Sequence, residues 1–176
     1  MTDATRLTKA VPVLIMTLLV LFLGGAAISA EEDVDNLQSL HFKVDGEYEG
    51  QEAAFEYWFR DIGTDQECFR MLTVTKDDDR EVLEWIVKKE SEEAYYRDKE
   101  NTSWNWQPVP YQESLYARMT DPYLDVEGAE FWRSIEGEEE YLVVEVGEDQ
   151  EEEEVRIYEV EVDEPIEDSV FDPDSE

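Results

Sequence analysis

Histidine and cysteine are almost absent from this chain of 176 residues, which contains only His41 and Cys68. A zinc site built from His and Cys side chains needs several such ligands, so these two residues do not indicate one. A cysteine nucleophile paired with a histidine base also needs a supporting residue, and no such pattern is present. His41 lies inside an alternating run, which favours a sheet residue over a catalytic base. Cys68 is followed by Phe69, Met71 and Leu72, which favour a small buried strand residue over a reactive thiol.

Basic residues are also scarce: the chain contains 14 Lys and Arg residues and 48 Asp and Glu residues. Without Asp3, Arg6 and Lys9, residues 31–176 keep 47 acidic and 12 basic residues, a net charge of −35. No basic stripe is present to meet phosphates, which excludes nucleic acid as an expected partner. The acids are spread along the chain and lysine is rare. This pattern is typical of an organism living in high salt, such as a halophilic archaeon, and an ordinary acidic secreted protein is the alternative.

The first thirty residues have the layout of an export signal. Arg6 and Lys9 precede an apolar run that ends in small residues, with Ala30 before an acidic stretch. The run Val11–Ile28 is eighteen residues long, at the short end of what spans a bilayer, so an uncleaved membrane anchor is the alternative. Both interpretations place residues 31–176 outside the cytoplasm, secreted or anchored to the outer face of the plasma membrane. No Pro/Gly/Ser-rich linker divides these residues, which predicts a single domain.

Alternation of apolar and polar residues predicts a mainly β fold, a sheet of hairpin-connected antiparallel strands. The first alternating run stops at Gly46, and Asp61-Ile62-Gly63 and Lys76 to Asp79 are turn-prone. The runs expected to form strands are residues 40–44, 55–59, 68–74, 82–87, 94–97, 103–106, 141–146 and 155–162.

Two segments break this alternation and predict helical structure. Asp121-Pro122 combines a capping residue with proline at the first helical position, and Gly137 can end the helix. We therefore expect one helix, or two short ones, between Pro122 and Glu136. A helical turn or two is also expected within residues 32–40.

Carboxylates carry little information about chemistry here, because adjacent acidic pairs are inevitable among so many acids. The acidic runs at residues 77–79, 138–140 and 151–154 predict solvated loops, and none follows the spacing of a calcium-binding loop. No phosphate-binding glycine loop or Gly-x-Ser-x-Gly elbow is present, so no cofactor and no catalytic residue is expected. A hydrolase of envelope polymers is a remote alternative, which needs two carboxylates facing each other across a cleft.

One triplet suggests a covalent modification. Asn101-Thr102-Ser103 fits the acceptor pattern for N-glycosylation, which takes place on exported chains. Such triplets also arise by chance, so the pattern makes Asn101 a candidate site.

Aromatic residues are the feature most informative about binding. The simpler interpretation is that these residues form the core between the sheet and a helix. If the sheet is strongly curved, part of the same lining stays unfilled and forms a groove for an acyl chain or a hydrophobic peptide, with Trp85 or Trp106 at its border. The candidate ligand-binding residues are Phe55, Tyr57, Phe59, Trp85, Tyr95, Trp104, Trp106 and Trp132.

The order of segments resembles the LolA-like superfamily of periplasmic lipoprotein carriers and their archaeal exported relatives. The resemblance covers roughly residues 32–173 and uses loose patterns at Phe55–Arg60, Phe69-Arg70-Met71, Tyr95–Asp98, Trp104–Pro108 and, most closely, the tail Val162–Pro173. It implies an incomplete β-barrel whose open side is plugged by helices, with an apolar cavity that shields lipid or acyl chains and with no catalysis. No binding residue of the family can be placed on this chain.

The expected protein is therefore a non-enzymatic carrier of a lipid, an acyl chain or a lipoprotein at the outer face of the plasma membrane. Its expected fold is a strongly curved antiparallel sheet or incomplete β-barrel with one or two helices packed on the open side. The alternative is a membrane-anchored extracellular interaction or structural module with a filled core and no small ligand.

Overall fold

A computed structural model describes residues 37–118, 126–146 and 152–175, which form one antiparallel sheet of eight strands with two short α-helices. The order of strands across the sheet is β6-β5-β4-β3-β2-β1-β8-β7. The predicted mainly β, antiparallel fold with one or two helices is thus confirmed. The strands are β1 Ser39–Tyr48, β2 Gln51–Arg60, β3 Cys68–Thr75, β4 Arg80–Lys88, β5 Glu93–Asp98, β6 Gln107–Pro110, β7 Tyr141–Val146 and β8 Glu152–Val162.

The first hairpin is longer than its sequence pattern predicts. Gly46 does not end β1, because it pairs with Ala53 of β2 and the ladder continues to Tyr48. The chain reverses at Glu49 and Gly50, whose φ angles are 52° and 80°. Positive φ at both central residues is the requirement of a two-residue hairpin turn that matches the strand twist. The position of this turn, rather than the first glycine, sets the end of the strand.

The sixth strand lies four residues later than predicted. Residues 103–106 do not form a strand, because Ser103 and Trp104 lie in a turn with φ angles of 51° and 62°. β6 carries Pro108 and Pro110, which lack a backbone N–H and are tolerated because β6 is an edge strand.

The two α-helices both follow β6 in sequence. Helix α1 spans Leu115–Arg118, and helix α2 spans Val126–Ile135, inside the segment predicted to be helical. Gly137, with a φ of 78°, follows the end of α2 as expected. The predicted start at Asp121-Pro122 lies outside the described residues. Short 3-10 helices span Tyr111–Glu113 and Asp168–Phe171.

The structure describes only the last four residues of the segment 32–40, in which a helical turn is predicted. Residues 32–36 lie outside the described part of the chain, as do residues 1–30 with their predicted signal or anchor. The last two residues of the segment, Ser39 and Leu40, belong to β1. Within the described residues, no helix is both long and apolar enough to cross a membrane.

The two faces of the sheet are covered differently. Helix α2 packs on one, here called the helix face, where Ala129, Trp132 and Ile135 join the main apolar core of the sheet. The C-terminal segment Ile166–Phe171 lies on the other, here called the tail face, where Phe171 is buried in a second apolar cluster. Both faces of the sheet therefore contain apolar residues, which are covered by α2 on the helix face and by the C-terminal segment on the tail face.

The sheet is neither closed nor strongly curled, so the predicted strong curvature and the predicted incomplete β-barrel are wrong. β6 and β7 stand at opposite ends of the strand order and are not paired with each other. Strong bending of a sheet is introduced by β-bulges. Among the described strand pairs, register shifts occur only between Thr73 and Val74 and between His41 and Lys43. The sheet lacks the repeated bends that closure needs.

Salt is expected to stabilise this fold strongly. Residues 31–176 carry a net charge of −35, and their acidic side chains repel each other in dilute salt. Folding brings these charges closer together. At about 1 M ionic strength the Debye length falls to roughly 3 Å, and most of that repulsion is screened. Thermal unfolding followed by circular dichroism should give a melting temperature that rises steeply from low to molar NaCl. A melting temperature that stays flat over this range would refute the hypothesis.

Candidate functional site

The eight aromatic residues predicted to line one groove are divided between the two faces. Tyr95 pairs with Ile86, a member of the tail-face cluster, and Trp106 packs against that cluster. Trp104 lies under Arg97, which is also on the tail face. The other five have exposed fractions of only 2–8% and belong to the core of the helix face; they are Phe55, Tyr57, Phe59, Trp85 and Trp132. The structure therefore brings five of the eight together and separates the other three from them.

Aromatic rings on the helix face pack against each other. Phe42 lies at the centre, with its ring centroid 4.3 Å from that of Trp132 on α2 and 5.0 Å from that of Tyr57. The Phe59 and Phe69 rings are 5.1 Å apart. Tilted and offset rings at these separations attract each other beyond the burial of their area. The protein's own side chains occupy the space that the groove hypothesis assigns to a ligand.

The tail face contains a buried charged cluster formed by Arg70, Glu84 and Arg97. Arg70 Nε donates to Glu84 Oε1 at 2.6 Å, and Arg97 Nε donates to Glu84 Oε2 at 2.6 Å. Glu84 has no exposed surface, and only 3% of Arg97 is exposed. The strand register explains the contact, because Glu84 of β4 stands directly opposite Arg97 of β5. A buried carboxylate with a guanidinium on each oxygen satisfies both charge and hydrogen bonding.

Each arginine of this cluster also lies over indole rings. The Arg70 guanidinium carbon is 5.0 Å from the Trp58 ring centroid. Arg97 lies 4.5 Å from the ring centroids of both Trp104 and Trp106. These separations fit cation–π attraction, so the cluster fixes the orientation of three half-buried tryptophans.

Arginines also attach the C-terminal segment to the tail face. Arg60 Nη1 donates to Asp168 Oδ1 at 2.6 Å, and Arg70 Nη1 donates to the Val170 carbonyl at 3.1 Å. The Arg60 guanidinium lies 4.9 Å from the centroid of the Phe171 ring. Arg70 therefore contacts Glu84, an indole ring and the C-terminal segment at once.

Phe171 covers Cys68 and Ile86 in the second apolar cluster. Cys68 is buried in β3, which confirms the prediction of a buried strand residue. Burial raises the pKa of the Cys68 thiol, although the nearby Arg60 charge acts in the opposite direction. The thiol is thereby kept protonated and inert at neutral pH.

Removing the Phe171 ring should expose Cys68. Burial of a Phe side chain is worth about 1.5–3 kcal/mol, so we expect Phe171→Ala to raise the population of the detached C-terminal segment by about tenfold to a hundredfold. The measurement is the rate of Cys68 alkylation under native conditions. Glu164→Ala changes an exposed side chain just before this segment and should leave the rate near that of the wild type. An equal rate in Phe171→Ala and the wild type would contradict this account of the segment.

His41 joins three strands on the tail face, which confirms its predicted place in a strand. Its Nε2 is 2.8 Å from Glu56 Oε1 of β2, and its Nδ1 is 3.1 Å from Glu161 Oε2 of β8. Its ring stacks on Trp58 at 5.1 Å. Burial acts to lower the pKa of His41, but the hydrogen bonds and charges of Glu56 and Glu161 outweigh burial and raise it.

Stability should therefore fall as pH rises through the pKa of His41. Protonated His41 binds both carboxylates, so its contribution to the free energy of unfolding is complete below the ordinary pKa of 6.5. That contribution is lost as pH rises through the raised pKa of the folded state. Melting temperatures measured between about pH 6 and 9 should decline in the wild type, and His41→Gln should remove this part of the decline. Identical profiles for the two proteins would contradict the assignment.

The acidic runs are placed as predicted in two of three cases. Residues 77–79 and 138–140 are exposed and lie outside the strands, as expected of solvated loops. Residues 152–154 belong to β8, so the loop prediction is wrong there, and residue 151 lies outside the described residues. Among the residues that the structure describes, no group of three or more His, Cys, Asp or Glu side chains is arranged to hold a metal ion.

Sequence reasoning missed the arginines and the buried glutamate of the tail face. In the sequence, Arg70 and Arg97 stand out only as parts of a loose family pattern. Glu84 was one acid among many, although it stands inside the apolar run of residues 82–87 rather than in a turn. A charged residue within such a run is a usable signal of a buried, paired charge.

Neither a protein-family model, nor a curated protein, nor a solved structure matches this chain. The resemblance to LolA-like carriers therefore stays a prediction from the segments named above.

Proposed function

We propose that this protein is a non-enzymatic interaction module outside the cytoplasm, with a filled core on its helix face and a partner-binding surface on its tail face. The observation that carries the proposal is the burial of the five aromatic residues of the helix face, whose exposed fractions are 2–8%. Because these buried rings pack against each other, the helix face forms the core of the protein. The side chains available to a partner then lie on the opposite side of the sheet.

The chemistry of the tail face supports binding of a macromolecule. Trp58, Trp104 and Trp106 are half-buried, and each lies against an arginine of the buried cluster. Tryptophan and arginine are the residue types most enriched where interfaces gain their binding energy. Side chains that are already fixed lose little conformational freedom on binding, which favours affinity. The net charge of −35 on residues 31–176 makes a strongly acidic partner unfavourable, and the predicted export signal supports a partner outside the cytoplasm.

The carrier of a lipid, acyl chain or lipoprotein is the second candidate function. One observation favours it: Trp58, Trp106, Ile166 and Val170 are only partly buried around the second apolar cluster. Displacement of the C-terminal segment would uncover a continuous apolar surface there. In this version the cargo binds on the tail face, not in the groove expected from the sequence.

Photo-cross-linking in the cell envelope tests the interaction module. A photo-reactive phenylalanine derivative is introduced at Tyr95 on the tail face and, as the matched control, at the exposed Glu130 on α2. We expect discrete adducts from position 95 and none from position 130. Adducts from position 130 alone, or equal adducts from both, would contradict the use of the tail face.

A titration with a fatty acid and with a lysolipid separates the two candidates. A filled module gives no change in tryptophan fluorescence. A carrier gives quenching or a blue shift, which Trp106→Phe should reduce and Trp85→Phe should leave in place, because Trp106 lies beside the second cluster and Trp85 lies in the core of the helix face. A saturable response in the folded protein would favour the carrier over the module.

A further inference from the structure

The loop between β5 and β6 holds the triplet Asn101-Thr102-Ser103 in one conformation. Asp98 Oδ1 accepts hydrogen bonds from the backbone N–H groups of Glu100 at 2.7 Å and Asn101 at 2.6 Å. Thr102 Oγ1 donates to the Asp98 carbonyl at 2.7 Å and accepts from the Asp98 N–H at 2.8 Å. Asp98 and Thr102 are 2% and 8% exposed, so this anchor is buried. These hydrogen bonds therefore hold the triplet in a defined conformation in the loop that leaves the sheet.

The two side chains that define the acceptor pattern point away from this anchor. Asn101 and Ser103 are both exposed, while Thr102 between them is buried. The acceptor pattern requires an Asn and, two residues later, a hydroxyl, and both are open to an enzyme in the folded chain. The fold presents the triplet with its variable position inward and its two obligatory positions outward.

The Asn101 amide keeps one hydrogen that its protein contact does not use. Its Nδ2 donates to Asp98 Oδ2 at 2.7 Å. An amide nitrogen carries two hydrogens, and this bond takes one of them. Replacement of the second hydrogen by a sugar still leaves one amide hydrogen as a donor for Asp98.

We propose that Asn101 is an N-glycosylation site, an inference that rests on the proposed location outside the cytoplasm. The donor is an oligosaccharide linked through phosphate to a lipid. Asn101 Nδ2 forms a bond to the anomeric carbon of the sugar, and the bond from that carbon to the phosphate oxygen breaks. The phosphate leaves with the electron pair, and one amide proton is released. The glycan is carried beside β6, an edge strand that such a group helps to keep from pairing with other chains.

The test is the mass of the full chain recovered from a high-salt host that glycosylates its own exported proteins. We expect the exported wild type to carry an oligosaccharide on the peptide that contains Asn101. Asn101→Gln and Ser103→Ala should both lose it, since each removes one obligatory position. Ser91→Ala, which changes an exposed serine outside the triplet, should keep it.

Failure of the site and failure of the location give different results. A chain recovered outside the cytoplasm with no added mass at Asn101 overturns the site and leaves the location standing. A chain kept in the cytoplasm overturns the location and the site with it. Added mass that persists in Ser103→Ala also overturns the assignment, because the pattern would not be what is recognised.

Discussion

Replacing Glu84 by Gln is expected to lower the free energy of unfolding by about 3–5 kcal/mol, because breaking a buried ion pair by removing one of its charges is strongly destabilising. Two guanidinium groups are affected here, since Arg70 and Arg97 each bind one oxygen of this carboxylate. Arg97 is only 3% exposed and cannot regain its hydration without opening the sheet. The measurement is urea unfolding at constant high salt, which leaves the screening of the surface acids unchanged.

The matched control for Glu84 is Glu81, an exposed glutamate on the same strand. Glu81→Gln should change the free energy of unfolding by no more than about 0.5 kcal/mol, the usual range for surface substitutions. Equal effects of the two substitutions would contradict a buried, doubly paired Glu84. The tryptophans give a second readout, because loss of the cluster should release Trp104 and Trp106 from Arg97 and change their fluorescence.

Trp132→Ala should destabilise the protein by about 3–5 kcal/mol, the cost typical of deleting a large aromatic from a core. Trp132 is 4% exposed and packs on Phe42 across the interface between α2 and the sheet. The deletion leaves an apolar cavity at a site that the wild type fills. Such engineered cavities stay dry and bind small apolar molecules. We therefore expect benzene to raise the melting temperature of Trp132→Ala but not that of the wild type.

Glu130 provides the control on the same helix, because its side chain is exposed. Glu130→Ala should leave both the stability and the response to benzene unchanged within the error of surface substitutions. A wild type that is stabilised by benzene as strongly as Trp132→Ala would show that the helix face already contains an open cavity. That result would restore the groove expected from the sequence.

Most of the strands could be predicted, because alternation reports which residues share a face of one strand. It does not report which faces of two strands coincide, since that depends on register. Tyr95 and Trp85 are predicted to line the same groove, yet the strand pairing places Tyr96 opposite Trp85, with their rings stacked 5.1 Å apart. Tyr95 therefore points to the other face of the sheet. The residues predicted to line one groove are thus divided between the helix face and the tail face.

The curvature of the sheet could not be predicted from local patterns. It depends on bulges and on whether the edge strands meet, and both are properties of the whole sheet. The charged cluster of the tail face was hidden for a different reason, because Glu84 resembles dozens of surface acids in composition. Its place within the apolar run of residues 82–87 was the distinguishing signal.

We propose that the helix face is a filled core and that the tail face is the accessible surface. Nuclear magnetic resonance of the tryptophan indole rings, with a soluble paramagnetic agent added, tests it most directly. Signals of Trp85 and Trp132, which are 8% and 4% exposed, should persist, while ring signals of the half-buried Trp58 and Trp104 should be strongly attenuated. Attenuation of Trp85 and Trp132 as strong as that of Trp58 and Trp104 would contradict the account.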